Sequence, residues 1–124
     1  MIQEAWYDAD KGEWTATNLG DSNIVTHRDS KLATSKAFGP DDNLALYFQD
    51  SSGSLKEIVF DNLGHPSESR DIATASPAIG TNLWALKTLE GSVRLFYIGK
   101  DSTVHQSVFQ NGQWSGWSFA LCTF

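Results

Sequence analysis

The chain repeats itself, and the period of that repeat limits its possible folds more than any other feature. Val93-Arg94-Leu95-Phe96-Tyr97-Ile98, a polar turn (Gly99-Lys100-Asp101-Ser102) and Val104-His105-Gln106-Ser107-Val108-Phe109 read as a β-hairpin. Moved back by 49 residues, from Val93 to Leu44, the pattern returns as Leu44–Gln49, Asp50-Ser51-Ser52-Gly53 and Leu55–Phe60. A partial third copy opens the chain, with Ile2–Asp8 lying over Leu55–Asp61. Self-similarity near 50 residues belongs to radially repeated β folds that contribute one sheet per repeat.

The rest of the chain fits strands around these hairpins. Residues 2–8 and Glu13–Thr17 flank the turn Asp10-Lys11-Gly12, and Ile24–Thr26 suits a short extended piece. Lys31–Phe38 carries the small residues Ala33, Thr34, Ser35 and Ala37, Ser69–Thr74 suits a short outer strand, and Asn82–Leu86 precedes the second hairpin. Asn111-Gly112 suits a type I′ turn before a last strand from Trp114 to Leu121. No long stretch sustains a 3.6-residue period, so the expected class is all-β. Each full unit reads as four antiparallel strands, and the long ones are apolar on both faces, as in sheets packed between other sheets. This predicts β-propeller blades at 29–73 and 74–121, with 1–19 the outer half of another. About two and a half blades cannot close a ring, so the bare faces call for self-association or further chain to cover them.

Composition narrows the function. Fifteen Asp and Glu against nine Lys and Arg give a net charge of −6, the wrong sign for a phosphate-backbone binder. The single Cys122 cannot form a disulfide within the chain. The charge makes nucleic acid an unexpected partner; neither a signal peptide nor an 18-residue apolar run is present in this sequence, so a membrane is not expected either, and a natural start at residue 1 would imply a cytosolic protein.

In a hairpin register centred on Lys100, Arg94 faces Gln106 and Phe96 faces Val104; centred on Ser51, Ala45 faces Glu57 and Tyr47 faces Leu55. A guanidinium beside an amide or carboxylate, with aromatic rings nearby, suits sugar hydroxyls: Arg donates, Glu or Gln accepts, and a ring packs against the apolar C–H side. The hairpin alone equally permits Arg94 to satisfy carbonyls between sheets and snorkel to solvent.

Val93-Arg94-Leu95-Phe96-Tyr97 with Gln106 twelve residues after Arg94, then Phe109 and Asn-Gly-x-Trp114, resembles the fungal and bacterial fucose-binding lectins of the six-bladed propeller type. Ile2-Gln3-Glu4-Ala5-Trp6-Tyr7-Asp8, closing on Gly-x-Trp14, is similar to a segment of the same family. The resemblance implies sugar sites between adjacent blades: an Arg and a Glu from one blade, two stacking aromatics from the next. On that pattern the middle unit offers Glu57, has Ala45 in place of Arg, and faces Phe109 and Trp114. The last unit offers Arg94 with Gln106 in place of Glu, and would take Tyr7 and Trp14 from another chain or by ring closure. Glu4 would face Phe60 and His65, without an Arg. No site is complete, and Arg94–Gln106 with Tyr7 and Trp14 is the best candidate, because an amide still accepts a hydroxyl.

Other signals are weaker. Asp10-x-Gly12-x-Trp14 is similar to the sialidase Asp-box, but its Trp comes one residue early and the leading Ser or Thr is missing. Asp8, Asp10 and Glu13 lack calcium-loop spacing, and His27, His65 and His105 lack ligand spacing, so no metal or other cofactor is expected. No nucleophile motif or carboxylate pair points to an enzyme. The expected function is a non-enzymatic lectin for fucose-containing glycans. The alternative is a propeller scaffold whose sugar sites have decayed and which serves assembly or protein interaction.

Overall fold

A computed structural model of the protein describes residues 2–18, 24–36, 43–61, 65–67, 69–72 and 75–119, with side chains at 17, 18 and 117–119 left aside. These residues form strands and turns, with no helix among them. β1 (Gln3–Asp8) and β2 (Glu13–Asn18) make a hairpin. β3 (Ala33–Lys36), β4 (Leu44–Gln49), β5 (Leu55–Phe60) and β6 (Arg70–Asp71) follow one another in an antiparallel middle sheet. β7 (Leu83–Lys87), β8 (Val93–Ile98), β9 (Val104–Gln110) and β10 (Gln113–Phe119) form the last sheet in the same order. The strands expected in the hairpin and in the two full units are present, while Ile24–Thr26 contributes only an isolated bridge between Thr26 and Asp50; the parts of Lys31–Phe38, Ser69–Thr74 and Trp114–Leu121 at 37, 38, 73, 74, 120 and 121 lie outside the described residues.

The expected hairpin registers are corrected by two residues. Arg94 pairs with Val108 and Phe96 with Gln106, while Ala45 pairs with Val59 and Tyr47 with Glu57. The turn chemistry explains the shift. Asp50 N–H donates to Ser54 O at 2.9 Å, closing a three-residue loop whose last member, Gly53, has φ 88°. Gly99 and Thr103 close the second loop in the same way at 2.9 Å, with Ser102 at φ 64°. A three-residue loop ending in a left-handed residue centres the hairpin one position later than assumed. An even shift leaves every side chain on its expected face. Asn111 (φ 56°) and Gly112 (φ 79°) form the two-residue turn expected of that pair.

Alternation then decides what packs where. Ala45, Tyr47, Leu55 and Ile72 of the middle sheet meet Leu83, Val93, Leu95 and Tyr97 of the last sheet in one core. The opposite face of the middle sheet packs Leu46, Phe48, Ile58 and Phe60 against Ile2 beside β1. The small-residue strand β3 lies beside β7, which lets the two sheets converge. The spatial sequence is therefore hairpin, middle sheet, last sheet. Gln49, fully buried, ties the last junction together: its Nε2 donates to Gly53 O (2.9 Å) and Ala78 O (3.1 Å), and its Oε1 accepts from Gly80 N–H (3.0 Å). A backbone device also repeats, since Ser30 Oγ accepts Gln49 N–H at 2.8 Å and Thr81 Oγ1 accepts Ile98 N–H at 2.7 Å.

Candidate functional site

The junction between the middle and last sheets gathers most of the middle unit's expected site. Glu57 points from β5 toward the last sheet and is only 6 % exposed. Tyr47 O–H, directly across on β4, donates to Glu57 Oε2 at 2.9 Å. Arg70 Nη2, directly across on β6, donates to Glu57 Oε1 at 2.9 Å. The carboxylate thus holds one donor on each oxygen. Burial drives the Tyr47 phenol well above its usual pKa, and the charge of Glu57 pushes the same way, so the hydroxyl remains a donor. From the last sheet, Trp114 meets Tyr47 edge-on with ring centroids 6.1 Å apart and packs on Phe109 at 5.4 Å. Phe109 and Trp114 are paired across β9 and β10.

Arg70 was not among the residues expected from sequence, although a signal for it exists. Lys56-Glu57 on β5 and Arg70-Asp71 on β6 are opposite-charge pairs in one antiparallel register only, and the strands adopt that register, with Lys56 also ion-paired to Asp71. Ala45, at the place where the family pattern expects an Arg, is fully buried in the core.

The other expected groups divide between the two ends of the molecule. Arg94 and Gln106 share the face of the last sheet turned away from the middle sheet, beside the exposed Trp84 and Leu86. They lie two positions apart along the ladder and do not face each other. Gln106 is nearly buried, and Arg94 Nε is buried with no hydrogen-bond partner. Tyr7 and Trp14 pair across the hairpin with centroids 5.5 Å apart and are 53 % and 71 % exposed. Alternation turns Tyr7 away from the middle sheet, because Ile2 packs against it. Within one chain, Arg94 and Gln106 therefore do not meet Tyr7 and Trp14. Glu4 is half-buried on the Ile2 face, the side on which Phe60 lies; His65 is exposed and pairs with Asp61 at 3.3 Å.

The family model for the fungal fucose-specific lectins matches residues 1–124. The chain belongs to this family. Among solved structures, AofleA from Arthrobotrys oligospora is similar, with TM-score 0.76 and 20 % identity over 94 % of this chain and 35 % of that one. The lectin of Aleuria aurantia, a six-bladed β-propeller, gives TM-score 0.69 and 20 % identity over 98 % of this chain and 47 % of its own. A mutant of that lectin solved with Fucα1-6GlcNAc gives TM-score 0.67 and 20 % identity over 97 % and 47 %. No curated protein matches. The middle and last sheets are thus β-propeller blades of four strands and the hairpin is part of a third; the chain spans less than half of these relatives.

Proposed function

We propose that the protein is a lectin, without enzymatic activity, that binds fucose-containing glycans at the junctions between blades. The observation that carries this reading is a recurrence. Glu4, Glu57 and Gln106 occupy one strand position, and at the junction whose two full sheets are described, that position looks across at a paired Phe and Trp. A carboxylate or amide acceptor beside aromatic faces supplies both halves of sugar recognition. Family membership and a related lectin solved with a fucosylated disaccharide support the choice of sugar.

The same recurrence supports self-association. The face bearing Arg94 and Gln106 is the counterpart, residue for residue, of the middle-blade face that the last blade covers. Tyr7 and Trp14 are the counterparts of Phe109 and Trp114. A second copy presenting its Tyr7–Trp14 edge would cover the open face and complete the Arg94–Gln106 site. A different reading, a scaffold with decayed sugar sites, is favoured by one feature: both oxygens of Glu57 already bind groups of the protein.

Titration of the assembled protein with α-methyl-L-fucoside and a fucosylated disaccharide separates the two. The lectin reading expects saturable binding that Arg94→Ala weakens; no binding at millimolar sugar would leave the scaffold. Light scattering on the same samples should show an assembly larger than one chain, and a well-folded monomer in dilute solution would remove the second-copy arrangement.

A further inference from the structure

We propose that Arg70, on the outermost strand of the middle blade, supplies the sugar-binding guanidinium of the Glu57 site in place of the second-strand residue that Ala45 replaces, and that this site selects neutral sugars over acidic ones. The inference rests on the lectin reading above.

Position comes first. Arg70 is on β6 and Trp114 on β10, the outermost strands of their sheets, so both stand at the rim of the junction. Tyr47 lies deeper, fully buried, and touches Glu57 through its hydroxyl and Trp114 through its ring. Glu57, Tyr47 and Trp114 are thus one connected unit, and Arg70 closes it on the solvent side with its side chain 59 % exposed.

Donor and acceptor capacity comes next. A guanidinium carries five N–H donors in a fixed fork, and the structure places one of them on Glu57. An ionised carboxylate has about four lone-pair positions, of which Tyr47 and Arg70 use one on each oxygen. A sugar at the rim can give one hydroxyl proton to Glu57, accept at its ring oxygen or a neighbouring hydroxyl from Arg70, and lay its C–H face on Trp114. The pre-formed Tyr47–Glu57–Arg70 network would hold the polar groups in place before the ligand arrives.

Charge sets the selectivity. Arg70 is neutralised by Glu57 at 2.9 Å, so the pair offers no net attraction to an anion, and an acidic sugar would bring a second carboxylate beside a buried one. Had Arg70 lacked this partner, the preference would be reversed.

The test titrates α-methyl-L-fucoside and, separately, a uronic acid into the wild type, Arg70→Ala, Arg70→Lys and the exposed-charge control Arg28→Ala. It is followed through the indole N–H signal of Trp114, with thermal melts confirming the fold. The expected result is a Trp114 shift for the neutral sugar only, weakened ~10-fold or more by Arg70→Ala and several-fold by Arg70→Lys, which keeps the charge and loses the fork. Arg28→Ala should match the wild type. Wild-type binding that Arg70→Ala and Arg70→Lys leave within about twofold would overturn this inference and leave the lectin reading standing. Should Arg70→Ala fail to fold, the Arg70→Lys result decides alone. A uronic acid bound as well as the neutral sugar removes the selectivity, and a Trp114 signal silent to sugar in the wild type overturns this inference, leaving the lectin reading to the Arg94→Ala titration.

Discussion

The two sides of the last blade carry the same repeat and differ in what covers them. On the covered side, Leu83, Val93, Leu95 and Tyr97 are buried against the middle blade, and Trp114 rests on Tyr47. On the other side Trp84 and Leu86 are exposed, and Arg94 keeps a buried Nε without a partner. The repeat places similar positions on corresponding faces of successive blades, but the residues within each sheet decide whether a polar group there finds partners. Glu57 has found a phenol and a guanidinium within the chain. At Arg94 and Gln106, no described residue of the chain supplies an equivalent edge.

The sharpest way to break this comparison is to remove one aromatic ring from the covered junction and one from the exposed hairpin edge. Tyr47→Ala deletes a fully buried ring, leaves the cavity beside Trp114 and strips Glu57 of one donor. A loss of roughly 3–5 kcal/mol is expected from urea unfolding. Trp14→Ala deletes a ring that is mostly exposed in the single chain, and should cost under about 0.5 kcal/mol under dilute conditions. If the two losses were equal, the hairpin edge would already be covered in solution, which would strengthen the second-copy arrangement.

A smaller effect of opposite sign is expected at Ser107. Its hydroxyl lies on the covered face, fully buried and without a hydrogen-bond partner, at the strand position held by Ile58 in the middle blade. Ser107→Ala removes an unsatisfied buried oxygen and should leave stability unchanged or raise it by up to ~1 kcal/mol in the same measurement. A clear destabilisation would mean that the hydroxyl has a partner in solution.

Much of this architecture was legible in the sequence because it depends on periodicity. The repeat gave the strand pairs and the face of every residue in the long strands, and the Asn111-Gly112 turn followed from backbone preference. What stayed hidden depended on one residue's conformation or on distant partners. The registers differ by two positions from the simple hairpin because each loop has three residues ending in the left-handed region, at Gly53 and at Ser102, and no glycine marks the second. Gln49 joins Gly53, Ala78 and Gly80, a set that no local pattern predicts. At the candidate site the sequence brought forward Glu57, Phe109 and Trp114. It passed over Arg70, because the resemblance looked for a guanidinium on the second strand while the fold delivers one from the fourth.

The smallest expected effect concerns charge at the edge of the covered face. His105 stacks on Tyr97, which belongs to the buried core, with centroids 5.3 Å apart. Asp101 in the preceding loop holds His105 Nε2 at 2.9 Å and accepts from the Thr103 hydroxyl at 2.8 Å and the Thr103 N–H at 3.1 Å. These hydrogen bonds, His105 first and then Thr103, lower the Asp101 carboxyl from its usual 3.8 to about 2. A carboxyl lowered in the folded state contributes stability above its unfolded pKa and loses it as pH falls through the folded value. The contribution should therefore be intact above about pH 4 and gone near pH 2. Asp101→Asn should melt below the wild type at neutral pH, with the gap closing across that window when melts are followed by circular dichroism. A gap that persists to the acid end would mean that the loop needs the geometry of its hydrogen bonds and not the charge of the carboxylate. The covered face would then be held at its rim by shape, as it is in its core.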